Sequence, residues 1–76
     1  MVYRDRIEID PTICSGKPVI RGTRILVTSI LSQLAAGESF AQIRKGFPGL
    51  SDDDIRSAIE FAKESVDSTE LSALRD

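Results

Sequence analysis

Residues 16–31 read GKPVIRGTRILVTSIL, and the hydrophobic pattern changes its period halfway along this segment. The pairs Val19-Ile20 and Ile25-Leu26 favour strands, and Arg21-Gly22-Thr23 interrupts them. Gly22 suits a turn position that requires a positive φ. We therefore predict a short strand, a tight turn and a second short strand between Lys17 and Leu26.

A helical period follows this hairpin directly. The apolar residues from this point are spaced as one face of a helix: Val27, Ile30, Leu31 and Leu34. We expect a first helix from about Thr28 to Ala36. Gly37 is well placed to end it, because glycine adopts the left-handed conformation of a C-terminal cap at little cost.

Start signals mark two more helices in the second half of the chain. Ser39 is followed by Gln42 at the spacing of a capping box, and Phe47-Pro48-Gly49 must end this second helix. Ser51 caps the third helix, and Asp52-Asp53-Asp54 fills its first turn, where the helix dipole favours acids. Leu50 and Ile55 have the spacing of a hydrophobic staple. One apolar face, centred on Ile59, is predicted to run to about Val66 through these residues: Ile55, Ala58, Ile59, Ala62 and Val66.

The N-terminal residues carry weaker signals. Ile7-Glu8-Ile9 alternates and indicates a short edge strand, and Asp10-Pro11-Thr12 is a turn signal. We expect Ile13 and Cys14 to lie in the core. A buried Cys14 that acts as a small hydrophobic residue is favoured over a reactive thiol near Lys17.

These elements together predict a mainly α fold, a small trihelical domain in a helix-turn-helix arrangement with a short N-terminal β-hairpin or β-arm. The domain is expected to span residues 1–66, followed by a flexible tail over residues 67–76. Three amphipathic helices also pack in this order without any role in DNA recognition, so the pattern alone leaves the function open.

Composition narrows the class of protein. A chain of 76 residues fits one domain, and so small a core favours a homodimer, with the hairpin or the N-terminal strand in the interface. The longest apolar run is too short to span a bilayer and no signal peptide is evident, so we expect a cytoplasmic protein without a membrane partner. With no histidine and one cysteine, the chain lacks the ligands of common zinc sites.

Enzymatic chemistry finds little support in the sequence. The chain has no glycine-rich phosphate loop and no nucleophile beside a plausible base, so we predict no enzyme activity, no catalytic residue and no cofactor. Asp52-Asp53-Asp54 resembles a metal site superficially. The first turn of a helix, where the dipole favours acids, is the better explanation, and we predict no metal.

Basic residues concentrate in the hairpin although the protein is acidic overall. Residues 1–37 carry a net charge of +2 and residues 38–76 a net charge of −4. Lys17, Arg21 and Arg24 have no acid among them, so we predict that they contact DNA or an acidic partner. The alternative is a solvated, charged edge that prevents sheet aggregation. The outer face of the third helix carries more acids than bases, which argues against its insertion between phosphate backbones.

These residues resemble the family called domain of unknown function 433. The resemblance rests on the run from Gly16 to Ile25, on residues 27–31 and 35–39, on Phe47-Pro48 and Leu50-Ser51, and on residues 54–58. It covers about residues 5–66. It implies a homeodomain-like fold and no catalytic residue.

The resemblance also implies a role, since many members are regarded as antitoxins of the VapB kind, paired with a PIN-like ribonuclease toxin. We therefore expect an antitoxin that neutralises such a toxin and that represses its own operon through operator DNA. Alternatives are a transcriptional regulator acting alone and a protein-only adaptor. Leu71, Leu74 and Arg75 in the tail are the predicted toxin-binding residues, because a helical turn presents both leucines to one groove and the arginine can pair with acidic residues.

Overall fold

A small antiparallel sheet precedes a helical domain in the computed structural model, which describes the backbone of residues 2–3 and all of residues 5–68. The strands are β1 (Val2–Tyr3), β2 (Ile7–Glu8) and β3 (Val19–Ile20). The helices are α1 (Val27–Ala35), α2 (Phe40–Gly46) and α3 (Asp52–Asp67). This architecture confirms the predicted mainly α fold with a β-arm.

Strand β2 occupies the middle of the sheet in the described part of the chain, whose strand order is β1-β2-β3. The prediction of an edge strand at Ile7-Glu8-Ile9 is therefore wrong. Ile7 pairs with Ile20 of β3 and also with Tyr3 of β1. The sequence pattern predicts no strand at Val2–Tyr3, and β1 occupies the edge that β2 would otherwise leave open.

The predicted hairpin between Lys17 and Leu26 forms only in part. Its second strand is reduced to one bridge, between Val19 and Leu26, although the Ile20 N–H still donates to the Ile25 carbonyl at 2.9 Å. Leu26 has an extended backbone because it is the N-terminal cap of α1, and Val27 already belongs to that helix. Pairing therefore stops where the helix begins. Gly22 adopts φ +78°, as a turn with positive φ requires.

Helix ends follow the local signals closely. The Ser39 hydroxyl accepts the Gln42 N–H at 3.2 Å, and Gln42 Oε1 accepts the Ser39 N–H at 2.7 Å, which confirms the predicted capping box. Helix α2 ends at Gly46, just before Phe47-Pro48. Helix α1 begins and ends one residue earlier than expected, and Gly37 beyond it has φ +89°.

Helix α3 has a second capping box that involves one of its three acids. Ser51 Oγ accepts the Asp54 N–H at 3.1 Å, and Asp54 Oδ2 accepts the Ser51 N–H at 3.0 Å. The predicted cap at Ser51 is confirmed. The structure adds a specific role for Asp54, beyond a favourable interaction with the helix dipole.

The core joins the sheet to all the helices. Its buried members are Ile7, Ile20, Val27, Ile30, Ile43, Leu50, Ile55 and Ala58. Helix α1 packs against α3, and Ile55 and Ala58 are the fully buried residues of α3. Three members of the predicted apolar face lie outside this core: Ala62 is half-buried, Ile59 is 40% exposed and Val66 is 70% exposed. Ile59 lies about 100° around the helix axis from Ala58. Val66 lies about two turns after Ile59, on the same side of the helix.

A loop over residues 9–18 connects β2 to β3. The Thr12 N–H and hydroxyl donate to Asp10 Oδ1 at 2.8 and 2.7 Å, and these bonds hold the pKa of Asp10 below its ordinary value. The predicted turn therefore forms. Ile13 and Cys14 are half-buried, not in the core, because the chain makes a 3-10 turn at Cys14–Gly16 in which the Cys14 φ is +49°.

Candidate functional site

The turn from Arg21 to Arg24, called the basic turn below, is held by hydrogen bonds at both ends. Thr23 Oγ1 donates to the Ile20 carbonyl at 2.7 Å and accepts the Ile25 N–H at 3.0 Å. The Thr23 N–H also donates to the Ile20 carbonyl at 3.0 Å. Because these bonds fix the backbone, the exposed side chains of Arg21 and Arg24 project from a constrained turn.

Neighbouring segments support the basic turn from two sides. The Arg21 N–H donates to the Arg6 carbonyl at 2.8 Å, which ties the turn to the residue preceding β2. Cys14 Sγ lies 3.9 Å from the Arg24 carbonyl oxygen, which places the 3-10 turn beside the other end. The loop that carries Cys14 therefore positions the turn and has no evident chemistry of its own.

Lys17 lies apart from the two arginines. It precedes β3, whereas Arg21 follows it. Four residues of extended chain correspond to a rise of about 13 Å. Arg24 lines a shallow depression of about 370 Å³ together with Glu8 and Gly22, and neither Arg21 nor Lys17 lines it. The structure thus brings Arg21 and Arg24 together on one turn and leaves Lys17 beside a different surface.

The bases of the basic turn differ from most other bases of the protein in their ion pairing. In the described part of the chain, four bases pair with acids near the start or end of α3: Arg6 with Asp54 at 3.0 Å, Arg44 with Asp52 at 2.8 Å, Arg56 with Asp53 at 3.0 Å, and Lys63 with Asp67 at 2.8 Å. No ion pair among residues 5–68 includes Lys17, Arg21 or Arg24. The arginines of the basic turn are therefore exposed and form no salt bridge within residues 5–68, although Glu8 lines the same depression as Arg24.

The three acids at the start of α3 serve the fold. Asp52, Asp53 and Asp54 each lie within 4.0 Å of an arginine nitrogen. Over residues 5–68, no group of three His, Cys, Asp or Glu side chains is arranged to hold a metal ion. In the same residues, no helix has the length and apolar character needed to cross a bilayer.

An apolar groove lies between the start of α1 and the second half of α3. Its apolar walls are formed by Pro18, Val27, Leu31, Phe61, Ala62 and Val66, and it encloses about 510 Å³. Among the described residues that line the groove, one is charged, Lys17, and two carry hydroxyl groups, Thr28 and Ser65. Sequence reasoning missed this groove. The signal was the length of α3, which has 16 residues against 9 in α1, so the first helix cannot cover the whole apolar face of the third.

The predicted toxin-binding residues Leu71, Leu74 and Arg75 lie outside the described residues, which end at Ser68. The structure therefore bears on the basic turn and the groove, and leaves that prediction as it stands.

Comparison with known proteins gives a family and one related chain. A family model described as "Protein of unknown function (DUF433)" matches residues 7–62. The chain is similar to "Uncharacterized protein y4eO" of Sinorhizobium fredii (strain NBRC 101917 / NGR234), with 35% identity over 60 residues. The match covers 79% of this chain and 27% of that protein, so the chain spans about a quarter of its relative's length. No solved structure matches the chain.

Proposed function

Since the chain belongs to the family of proteins of unknown function DUF433, we propose its function from the surfaces described above. It is a non-enzymatic antitoxin of the cytoplasm. It binds and neutralises a PIN-like ribonuclease, and it represses its own operon by binding operator DNA. The partner and the role follow from the family resemblance, and the surface charges supply the physical argument.

The unpaired charge of the basic turn carries this proposal. Arg21 and Arg24 are exposed on a constrained backbone, whereas Arg56 and Lys63 on α3 are paired with acids of their own helix. A guanidinium group binds a phosphate or a carboxylate through two parallel hydrogen bonds. A pair of unneutralised arginines on a fixed turn therefore suits operator phosphates better than the outer face of α3 does.

The C-terminal residues Leu71, Leu74 and Arg75 are the proposed contacts to the toxin. Both leucines can occupy one apolar groove of the ribonuclease if the segment forms a helical turn. Arg75 can then pair with the metal-binding carboxylates of the toxin's acidic pocket. Loss of this segment is expected to weaken the complex and leave the helical domain folded.

Co-expression with the product of the adjacent gene, followed by pull-down, tests the proposal. We expect a PIN-like protein to be retained and its ribonuclease activity to be suppressed. Deletion of residues 68–76 should weaken toxin binding at least tenfold, about 1.4 kcal/mol, in calorimetry. If neither chain retains the other, the antitoxin proposal fails. Equal affinity with and without the tail instead moves the toxin-binding surface to the helices or the basic turn.

A transcriptional regulator acting alone is the second candidate, because the basic turn favours it equally. The discriminating result is operator binding without any toxin partner. Lys45 offers a matched control for the DNA contact, because it is an exposed base on α2 and belongs to no ion pair among residues 5–68. Loss of a mobility shift on Arg21→Ala but not on Lys45→Ala supports DNA contact by the basic turn; equal loss contradicts it.

A further inference from the structure

We propose that the segment of residues 69–76 folds back over the apolar groove of its own chain and places Leu71 and Leu74 in it. This segment follows Ser68, the last described residue. The inference does not rest on the antitoxin role. It adds a regulatory step to that role, because a toxin that binds Leu71 and Leu74 must first take both leucines out of the groove.

The described chain ends beside the groove. Ser65 and Val66 line the groove, and Ser68 follows as the C-terminal cap of α3. Ser68 Oγ donates to the Ser65 carbonyl at 2.9 Å, and so takes up one of the carbonyl groups at the end of the helix. Helix α3 therefore stops at this point, and the residues that follow begin at the mouth of the groove.

The length of the segment fits the dimensions of the groove. Phe61 lines the groove seven residues before Ser68, a rise of about 10 Å along α3. Leu71 comes three residues after Ser68, and three extended residues also span about 10 Å. Leu74 comes six residues after Ser68, so about 20 Å of chain is available to cross toward Leu31. The axes of packed helices are only about 8–10 Å apart, so both walls of the groove are within reach.

Apolar surface on both sides supplies the driving force for docking. Val66 is 70% exposed, and Leu31 and Phe61 are only half-buried. Leu71 and Leu74 are the large apolar residues of the C-terminal segment. Contact between the two leucines and the groove removes apolar surface of both from water.

A simple continuation of α3 would not place the leucines in the groove. Successive residues of a helix are rotated by about 100°, so Leu71 would point about 180° away from Ala62, which lines the groove. The proposal therefore requires that the chain reverse after Ser68.

The short connection favours the chain's own segment over a second copy as the occupant. Leu71 is joined to Ser68 by three residues, and a short flexible connection gives an effective concentration in the millimolar range. A second copy at micromolar concentration therefore competes poorly for the same groove.

NMR spectroscopy of the full-length chain, with labelled leucine and valine methyl groups, locates both leucines. We expect contacts from Leu71 and Leu74 to Val27, Leu31 or Val66 that persist on dilution. A mixture of labelled and unlabelled chains separates contacts within one copy from contacts between copies. Contacts that form only between copies show that a second copy fills the groove, and they overturn the proposal. The absence of any contact between the two leucines and the groove also overturns it.

A double-mutant cycle measures whether the leucines and the groove are coupled. Val66→Ser changes a groove residue to one of similar helix propensity. We expect this variant and the pair Leu71→Ser/Leu74→Ser each to lower the melting temperature by at least about 4 °C. Combining all three substitutions should lower it little further, because the same contact is already lost. Losses that add in full contradict the docking.

Two control variants separate docking from general effects on the helix and on the segment. Ile59→Ser changes an exposed apolar residue of the same helix that does not line the groove, so its effect should add to that of the leucine pair. Glu70→Ser/Asp76→Ser changes two charged residues of the segment and should melt near the wild-type temperature. If this charge variant melts as low as the leucine pair, the apolar docking is refuted.

Discussion

Arg6 and Asp54 are 48 positions apart in the chain, and the Arg6 guanidinium donates a hydrogen bond to Asp54 Oδ1 at 3.0 Å. The second carboxylate oxygen of Asp54 accepts the Ser51 N–H, so one side chain completes the cap of α3 and ties that helix to the residue before β2. Arg6 also supports the basic turn, through its carbonyl oxygen and the Arg21 N–H. The start of α3 and the basic turn are thus linked through one residue.

Asp54→Ala should destabilise the domain by about 1–2 kcal/mol, because it removes the reciprocal half of the capping box together with the ion pair to Arg6. The Asp54 side chain is only 14% exposed, so the ion pair is partly shielded from solvent. Chemical denaturation measures the free energy of unfolding. Asp53→Ala is the control: at 64% exposure its ion pairs should contribute about 0.5 kcal/mol or less. Equal losses for the two variants would contradict a special role for Asp54.

Ile55→Asp should unfold the domain, whereas Ile59→Asp should leave it folded. Ile55 is fully buried, and an unpaired carboxylate at that position costs more than about 4 kcal/mol. Ile59 is 40% exposed, so its aspartate variant can keep the charge in water at a cost of about 1 kcal/mol. Far-UV circular dichroism and thermal melting distinguish them. An unfolded Ile59→Asp would show that the sequence-based helix face was right after all.

The sequence predicts features that depend on a few neighbouring residues, and it fails where distant elements meet. Caps at Ser39 and Ser51 form because a hydroxyl and the N–H three residues later are always close at a helix start. The exposure of Ile59 depends on which side of α3 contacts α1, and periodicity does not specify that side. The central position of β2 likewise requires pairing with two strands, each only two residues long.

In the candidate site, too, local features could be predicted from the sequence and features set by tertiary packing could not. The unusual charge of the basic turn could be predicted, because Arg21 and Arg24 flank a glycine that must reverse the chain. The separation of Lys17 from them follows from the same pattern, because the strand Val19–Ile20 lies between Lys17 and the turn. The apolar groove, however, was missed: it exists because Val66 lies beyond the last turn of α3 that the core covers, and that limit is set by tertiary packing.

Gly22→Ala should destabilise the domain by roughly 1–2 kcal/mol, because an L-residue at φ +78° is strained although the new methyl group meets open space. Gly46→Ala is the contrasting variant. Gly46 is helical, has no positive φ and also faces open space, so alanine there should stabilise the domain by about 0.5–1 kcal/mol. Thermal melting compares the two variants directly. A neutral Gly22→Ala would mean that the basic turn can change its conformation.

DNA affinity should depend on Arg21 and Arg24 more than on Arg56 and Lys63. The bases of α3 must first give up the carboxylates of Asp53 and Asp67, whereas no ion pair among residues 5–68 holds the two arginines of the turn. If each arginine contacts one phosphate, each alanine substitution should reduce the slope of log affinity against log salt by about 0.9. Fluorescence anisotropy with the upstream region of the operon, over a series of salt concentrations, measures this slope. Lys17→Ala tests the geometry of the contact, because Lys17 lies about 13 Å from Arg21 along an extended chain. This substitution should lower the slope only if the DNA spans both ends of β3. A slope that falls with Arg56→Ala and stays unchanged with Arg21→Ala and Arg24→Ala would assign the contact to α3 as an ordinary recognition helix.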